Sequence, residues 1–362
     1  MMKTPTMRSL RYLYTCRASL RSYTTSSTPS LQTWMEALTS KPPEITHDVI
    51  DTERASQLAR ILPTCQDTSE ALKDDLPNGE VLSKGHHLVY FRPKFMLNDL
   101  GRDGSSTEYN APPPFTRRMW AGGSMFWSSR HHLRIGERVT QAVSVPKVEH
   151  KKGMVFVYQK RVIYPATRSN GDLDYDEDEW AVKELRTHVF RQAEAVPVSA
   201  GPSSPSSASS GTIGRQSHFS FTYTPSSPLL FLFSALTHNP HKVHYDQSWT
   251  TTQEGHRAPL VHGPMSALLL IELAGRVGAH KTLKRFDYRA TSPMVVGEEI
   301  GMRETWAEEG DLQLTTEQSG KVGMRAVARY AAETWYAFMS REHYESDIAY
   351  LFCPETGLVV TR

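Results

Sequence analysis

Three histidines lie at three-residue intervals within residues 234–246, a segment that also contains an asparagine and a proline. An imidazole titrates near neutral pH, so a histidine held in place can take or return a proton during catalysis. His244 is the first candidate for such a general acid or base. Asn239, five residues earlier, could orient a hydroxyl group or a water molecule through hydrogen bonds. The segment therefore predicts a proton-transfer site.

A second part of this site is predicted where His262 and Gly263 precede an apolar helix. Pro264 suits the first turn of that helix, where its missing N–H costs nothing. The Gly263 N–H would then be free at the positive end of the helix dipole, where it could stabilise negative charge on an oxygen atom. His262 and Pro264 are expected to contact the substrate beside it. Residues 265–274 are apolar nearly all round, which predicts a buried helix.

The spacing of His238, His241 and His244 also invites a zinc interpretation. Pro240 prevents a regular helix from aligning these imidazoles, and their spacing matches no known zinc scaffold. We therefore expect neither a metal nor another cofactor. Asp246 is expected to cap the short helix that follows, to orient His244, or to contact the substrate.

The elements that must position these residues become clearer from a family resemblance. Residues 234–246 and 261–264 resemble the hydratase 2 motif of MaoC-like dehydratases and hydratases. The form is most similar to that of fungal mitochondrial 3-hydroxyacyl-thioester dehydratases type 2 and of mesaconyl- or 3-methylfumaryl-CoA hydratases. Segments 112–123 and 286–297 are also similar, so the resemblance covers roughly residues 45–335. It implies an α+β double hot dog, in which each half is a curved antiparallel sheet wrapped around a helix.

The resemblance further implies a hydro-lyase that interconverts (R)-3-hydroxyacyl and trans-2-enoyl thioesters. His244 would be catalytic, and the Gly263 N–H would bind the thioester oxygen. The wider family has Asp where this chain has Asn239, and an amide cannot act as a base. His244 is thus expected to be the single acid/base. Asn239 would orient the hydroxyl or water, or merely form the turn before Pro240.

Three interpretations of the substrate and role stay open. The leading one is a dehydratase of mitochondrial type II fatty acid synthesis that acts on acyl carrier protein thioesters. The second is a hydratase of short branched dicarboxyl-CoA esters, and the third is a catalytically silent subunit that binds acyl chains or a partner. A homodimer is an open alternative for the assembly. Arg289, in a basic cluster after the helix, could meet a substrate phosphate or an acidic carrier protein, and Trp120 could line an acyl tunnel.

Composition limits the class of protein and its compartment. The chain has 362 residues, enough for two domains, and its 41 basic and 39 acidic residues give no excess charge of the kind that nucleic acid binding requires. Residues 1–35 are rich in Arg, Ser and Thr and contain no acid, which is typical of a mitochondrial transit peptide cleaved near Tyr23. We therefore predict a matrix protein. No segment is apolar over the length that a membrane span needs.

The rest of the chain divides by pattern. We predict an N-terminal hot dog-like half at 36–195, a flexible Ser/Pro linker at 196–217, a catalytic half at 218–340 and a tail at 341–362. In the first half we expect one amphipathic helix over 46–62, a strand within 81–91 and a long loop over 98–114. Further strands are predicted at 124–127, 138–145, 154–163, 181–192, 219–223, 282–290, 299–306, 312–316 and 322–334.

Overall fold

The computed structural model describes residues 29–63, 74–165, 178–192, 220–278 and 280–331. It also describes a separate two-stranded pair, β11 (Leu351–Phe352) and β12 (Val359–Val360). The predicted transit peptide up to residue 28, the linker at 196–217 and most of the predicted tail lie outside the described residues. The predicted boundaries of these segments therefore stay predictions.

Five strands of the first half form one side of a large antiparallel sheet, in the order β1-β3-β4-β5-β2. β-Branched and aromatic residues make up seven of the twelve positions of β4, as expected for a strand that packs at least one face. The elements are α1 (Leu31–Thr39), β1 (Glu44–Val49), α2 (Thr52–Ile61), β2 (Arg117–Trp127), β3 (Arg138–Lys151), β4 (Met154–Pro165) and β5 (Val182–Arg191).

The second half repeats this order as a mirror image, β7-β10-β9-β8-β6, and antiparallel pairing of β2 with β7 joins the halves into one ten-stranded sheet. Its elements are β6 (Phe221–Tyr223), α3 (Ser227–Thr237), α4 (Gln247–Thr252), α5 (Gly263–Val277), β7 (Leu283–Ala290), β8 (Ile300–Trp306), β9 (Leu312–Gln318) and β10 (Lys321–Tyr330). The predicted strands of both halves from residue 124 onward are confirmed, with shifted ends.

Helix α5 is the buried centre of the second half, as its all-round apolar composition predicts. Its residues from Met265 to Ile271 are almost wholly removed from solvent, and the helix packs on β7, β9 and β10. Glu272, the one charged side chain in the run, reaches His86 of the first half at 2.8 Å. The helix therefore also ties the two halves together.

The double hot dog fold is confirmed, but the halves differ. In the first half, the described residues contain no long helix equivalent to α5; after α2 they contain a short 3-10 helix, His86–Val89. The strand predicted within 81–91 is wrong, because this helix packs on α2 and α3, and in this segment only Val81 forms a bridge, to Arg134. A Cβ added to Gly85 would lie 2.6 Å from the Leu268 side chain.

The single helix predicted over 46–62 is also wrong. The segment is split into β1 and α2, and Asp51 caps α2 by accepting a hydrogen bond from the Arg54 N–H. β1 forms because it pairs along its whole length with β3, from Glu44 opposite Val143 to Val49 opposite Arg138. That partner is distant in the sequence, so the local pattern could not reveal it.

One face of β4 and β5 is apolar at both ends and polar in the middle. Val155 pairs with Phe190 at one end and Ile163 with Val182 at the other, and each pair belongs to an apolar core cluster. Alternate residues of a strand share a face, so the side chains between these pairs point the same way. Five of these six residues are polar, Val157 being the exception, and we call the five the polar band: Gln159, Arg161, Glu184, Arg186 and His188.

Candidate functional site

A cavity of about 710 Å³ lies between the two halves. The second half contributes the histidine segment and the start of α5, and the first half contributes the polar band and the beginning of β2. A volume of this size accommodates a small organic molecule with most of its surface buried. Five of the residues predicted as a site meet at this cavity: His244, Asn239, Gly263, Pro264 and Trp120.

His244 is held by a backbone carbonyl group. Its Nδ1 lies 2.9 Å from the Leu260 oxygen, and a carbonyl oxygen only accepts, so Nδ1 must carry the proton. Nε2 then keeps a lone pair for a proton. Leu260 is itself fixed, because its N–H donates to the Val243 carbonyl at 2.8 Å and it forms an isolated bridge with Val295. The fold thus fixes the tautomer of His244.

The surroundings of His244 keep it neutral. Burial lowers its pKa to about 3, His241 and Arg118 add to the depression, and the bond to Leu260 opposes it. The His241 ring packs edge-on against it with centroids 5.5 Å apart. Burial also lowers the pKa of His241 to about 4, although Asp103 lies 3.4 Å from its Nε2. At neutral pH His244 is therefore a proton acceptor.

His262 lies behind His244 and does not line the cavity. The two rings are stacked with centroids 3.7 Å apart, and His262 Nε2 lies 2.8 Å from the Ser234 hydroxyl oxygen. Burial lowers the pKa of His262 well below its ordinary value, with His244 as the next cause. His262 is thus not placed to contact a substrate in the cavity, which differs from the prediction. It supports the His244 ring from the side away from the cavity.

Asn239 uses its side-chain oxygen in a turn and leaves its amide nitrogen for the cavity. Its Oδ1 accepts a hydrogen bond from the His241 N–H at 3.3 Å, and its own N–H donates to the Ser234 carbonyl at 2.8 Å. The side-chain nitrogen is a donor and has no protein acceptor among the described residues. Both interpretations of Asn239, turn former and hydroxyl donor, are therefore compatible in one conformation.

The start of α5 presents the predicted oxyanion donor. Gly263 opens the helix and Pro264 follows within the first turn, as predicted from their order. A Cβ added to Gly263 would meet only Trp120, at 3.7 Å, which is an ordinary contact. Glycine is therefore not required there by protein packing, and its small size leaves room for a ligand. Trp120 is fixed by a 2.8 Å hydrogen bond from its Nε1 to the Tyr288 hydroxyl.

Other residues singled out from the sequence lie elsewhere. Asp246 caps α4 by accepting a hydrogen bond from the Trp249 N–H at 2.8 Å, which confirms the capping prediction, and it does not line the cavity. Arg289 is exposed on β7 and also lies outside the cavity lining, so its contact with a substrate phosphate or a carrier protein stays a prediction. His238 stacks on Phe95, and within the described ranges no three His, Cys, Asp or Glu residues converge on a metal position.

The first-half loop that contains Asp103 and Gly104, to which the sequence analysis assigned no function, holds the histidine segment in place. The Asp103 carbonyl accepts a hydrogen bond from the Lys242 N–H at 2.8 Å, and its carboxylate faces His241. Gly104, at φ +79°, packs so tightly that a Cβ there would lie 2.3 Å from the Pro240 oxygen. The loop composition predicted irregular structure, but no local signal indicates which segment the loop contacts.

The polar band is the larger part of the site that sequence interpretation missed. Glu184 and Gln159 are only 2% and 1% exposed, which is unusual for such residues unless they are paired. Arg186 binds Glu184 through two hydrogen bonds of 2.8 and 2.9 Å and lies over the Trp120 ring. The available signal is the alternation of polar residues along β5, but alternation alone is equally typical of a strand with a solvent-facing side.

The mirrored sheet, the buried α5 and the cavity at its N-terminus define a double hot dog protein with a hydratase 2 type site. The family model for hydroxyacyl-thioester dehydratase type 2 matches residues 85–296, more than half of the chain. The chain therefore belongs to the hydroxyacyl-thioester dehydratase type 2 family. Among the described residues, no helix has the length and apolar character needed to cross a bilayer.

Two relatives agree with this assignment, and a solved structure has a similar fold. The chain is 30% identical over 216 residues to the mesaconyl-C(4)-CoA hydratase of Chloroflexus aurantiacus, covering 58% of this chain and 69% of that protein. It is 25% identical over 247 residues to the mitochondrial hydroxyacyl-thioester dehydratase type 2 of Schizosaccharomyces pombe, covering 60% and 76%. A MaoC-like dehydratase from Phytophthora capsici has a similar fold, with a TM-score of 0.57 and 13% identity over 83% of this chain and 99% of that chain.

The packing of Gly104 on the histidine segment gives a test of how the site is supported. Gly104→Ala should lower the free energy of unfolding by about 3 kcal/mol or more, because it combines positive-φ strain with a backbone clash. It should also lower turnover, because the Pro240 to His244 segment must move. Gly310→Ala is the matched control, since φ is +81° and no atom lies within 4 Å of the added Cβ.

Urea unfolding and initial rates of enoyl-CoA hydration would be measured for both variants. The control should lose only about 1–2 kcal/mol and keep its activity. Equal losses of stability and activity in the two variants would show that the loop does not position the site.

Proposed function

We propose that this protein catalyses the reversible dehydration of (R)-3-hydroxyacyl thioesters to trans-2-enoyl thioesters. The observation that carries the proposal is the arrangement of a neutral His244, with a free Nε2, beside the N-terminus of α5 in one cavity. Membership of the hydroxyacyl-thioester dehydratase type 2 family supports the same reaction. A catalytically silent subunit is disfavoured, since an acyl-binding role alone needs neither a fixed tautomer nor an unpaired helix N-terminus.

In the dehydration direction, His244 Nε2 removes a proton from C2 of the substrate. The electron pair moves toward the thioester carbonyl, whose oxygen gains negative charge and accepts a hydrogen bond from the Gly263 N–H. The side-chain nitrogen of Asn239 donates to the hydroxyl group on C3. The C3–O bond then breaks, the C2–C3 double bond forms, and the proton on His244 passes to the departing oxygen to give water.

The low pKa of His244 has a chemical consequence for this sequence of steps. A neutral imidazole with a depressed pKa is a weak base, so removal of the C2 proton depends on stabilisation of the enolate-like oxygen by the helix N-terminus. Once protonated, the same ring is a strong acid, which helps to expel hydroxide as water. A single histidine can therefore serve both steps.

The mitochondrial location remains part of the proposal. It is supported by the acid-free, Arg-rich N-terminal segment and by the name of the Schizosaccharomyces pombe relative. Cleavage near Tyr23 would leave α1 whole, whereas an end at residue 35 would cut it; Trp34 of α1 packs on the first-half core. We therefore favour the earlier processing point. A homodimer stays a prediction.

The finer assignment to type II fatty acid synthesis requires a cavity of a particular kind. A growing aliphatic chain bound to acyl carrier protein needs an apolar tunnel. Trp120 supplies apolar surface, but Trp127, the other tryptophan near it on β2, lies in the core opposite Val182. The remaining wall combines further apolar side chains, such as Phe95 and Met119, with the polar band. The polar band favours a second candidate function, hydration of short polar acyl-CoA esters, of the kind named for the Chloroflexus relative.

Replacement of His244 tests the acid/base role. His244→Ala should lower kcat for hydration of crotonyl-CoA by roughly 10²–10⁴-fold, because the general acid/base is lost. His132→Ala is the control, since His132 is exposed and lies outside the cavity lining. Spectrophotometric loss of the enoyl thioester gives the rates. A His244→Ala enzyme that keeps nearly full activity would place the proton transfer on another residue, with His241 the next to examine.

The pH dependence of kcat/KM tests whether Asn239 acts beside His244. Asn239→Asp places a carboxylate near the imidazole, which should raise the His244 pKa from its depressed value. Activity is lost as His244 becomes protonated, so the acid limb of the profile should move to higher pH. Asn239→Ala removes the amide without adding charge and should reduce the rate while leaving the acid limb where it is. Identical acid limbs in the parent and the Asp variant would contradict the proposal.

A reporter fusion tests the compartment. Residues 1–35 fused to a fluorescent protein should direct it to mitochondria in yeast, because the segment carries positive charge and no acid. The matched control replaces the basic residues with glutamine and should remain cytosolic; these residues are Lys3, Arg8, Arg11, Arg17 and Arg21. Cytosolic fluorescence from the unaltered segment would remove the basis for a mitochondrial assignment.

A further inference from the structure

The charges of the polar band do not balance. Its one buried acid, Glu184, is taken up by Arg186 through two hydrogen bonds, and Arg186 holds the pKa of Glu184 below its usual value although burial opposes this. Arg161 instead contacts only neutral amides: its Nε and Nη2 donate to Gln159 Oε1 at 3.3 and 2.9 Å. One guanidinium in the band thus forms no ion pair with any described residue.

A second arginine on the same cavity face also forms no ion pair with a described residue. Arg118 of β2 donates to the Ser106 carbonyl at 3.2 Å and forms no ion pair within the described ranges. Burial lowers the pKa of Arg118, with Arg186 as a further cause and Asp103 in opposition. Burial also lowers the pKa of Arg161 to about 10 and Arg186 adds to the effect, while Glu184, Tyr109 and Glu108 oppose it. Burial outweighs the opposing groups for both cations, so neither is fully compensated.

His188 lies among these arginines and adds a neutral donor. Gln159 uses its oxygen for Arg161, so its amide nitrogen donates to His188 Nδ1, 3.3 Å away. His188 therefore carries its proton on Nε2. Burial lowers the pKa of His188 well below its ordinary value, and Arg118, Arg186 and Arg161 are the further causes, so the ring stays neutral. The three arginines and His188 line the same cavity.

The position of this group relative to the reaction centre limits what it can bind. Arg118 of β2 lies opposite Phe190 of β5, so it shares the cavity face of the polar band, and His244 lines the same cavity. The phosphates of a carrier have another place to bind, because Arg92 and Lys94 are exposed cations of the same cavity lining. The half-buried arginines are thus left for the acyl end of the substrate.

We propose that Arg118, Arg161 and His188 form an anion subsite that binds a carboxylate at the far end of a short acyl group. This inference rests on the proposed hydration and dehydration activity and names the substrate class for it: enoyl and 3-hydroxyacyl thioesters whose acyl group ends in a carboxylate. A carboxylate supplies the missing negative charge and accepts bidentate hydrogen bonds from a guanidinium. A methyl end would leave these half-buried cations uncompensated.

Two substrates that differ only at this end provide the test. Crotonyl-CoA ends in a methyl group and fumaryl-CoA in a carboxylate, with the same four-carbon enoyl thioester. For the parent enzyme, kcat/KM for fumaryl-CoA should exceed that for crotonyl-CoA by about tenfold or more. Arg161→Met should lower the fumaryl-CoA value about 10- to 100-fold while changing the crotonyl-CoA value less than about threefold. Most of the loss should appear in KM, because the carboxylate does not react.

Further variants separate charge from structure. Arg161→Lys keeps the charge without the planar fork and should recover part of the preference. Arg118→Met should reduce the preference in the same direction. Arg138→Met is the control, since Arg138 is an exposed arginine at the start of β3, outside the cavity lining, and should change neither substrate.

Each outcome decides a different question. A proportional loss with both substrates would overturn the inference, because it would mean that the arginines hold the carrier phosphate or the fold. A parent enzyme that prefers crotonyl-CoA would also overturn it while leaving the proposed activity intact. A parent that hydrates neither substrate would instead defeat the proposed function, and the inference with it.

A measurement on the unaltered protein covers the case in which the variants do not fold. Succinyl-CoA and butyryl-CoA are saturated analogues that cannot be hydrated, and they differ in the same terminal group. Succinyl-CoA should inhibit crotonyl-CoA hydration with an inhibition constant at least about tenfold lower than that of butyryl-CoA. Equal inhibition constants would overturn the anion subsite.

Discussion

The hydrogen bond from His244 Nδ1 to the Leu260 carbonyl is the constraint on which the rest of the site depends. It fixes the tautomer, and with it the atom that can take a proton. Leu260 is held by the bridge to Val295 and lies three residues before Gly263, so the strand-like segment that orients His244 leads directly into α5. The base and the oxyanion donor are thereby fixed to one rigid element. Because α5 is buried on the second-half sheet, neither group can shift independently.

The absence of an α5-like helix in the described first half gives the molecule its cavity. In the second half the sheet is covered by α5, and its inner residues are apolar, for example Phe286, Leu314 and Ala328. In the first half the equivalent face is apolar only at its ends, where α1 and the 3-10 helix pack, and the middle carries the polar band. Two halves with one architecture thus have different proposed roles. The second half holds the proposed reacting groups, and the first half surrounds the acyl group.

The sequence allowed the proposed reacting groups to be assigned to one site because they are local. His244, Asn239 and Gly263 belong to contiguous motifs, and the apolar run after Gly263 is a local property as well. Arg161 could not be predicted in this way, because it reaches the site through strand register. An alternating strand predicts two faces but does not say which one meets solvent, so the burial of the polar face of β5 has no local signal. The same limit explains why the residues of β1 are predicted as helix: the partner strand, β3, is distant in sequence.

The replacement of the family aspartate by Asn239 is consistent with the electrostatics of this cavity. A carboxylate at that position would lie beside His244 and within the field of Arg118, where it would offset positive charge that an anionic acyl group needs. It would also repel the substrate carboxylate across a short, poorly solvated distance. A neutral amide keeps the hydrogen-bond donor for the C3 hydroxyl without either effect. The loss of a second acid is then matched by the low pKa of His244, whose protonated form is acidic enough to expel water without help.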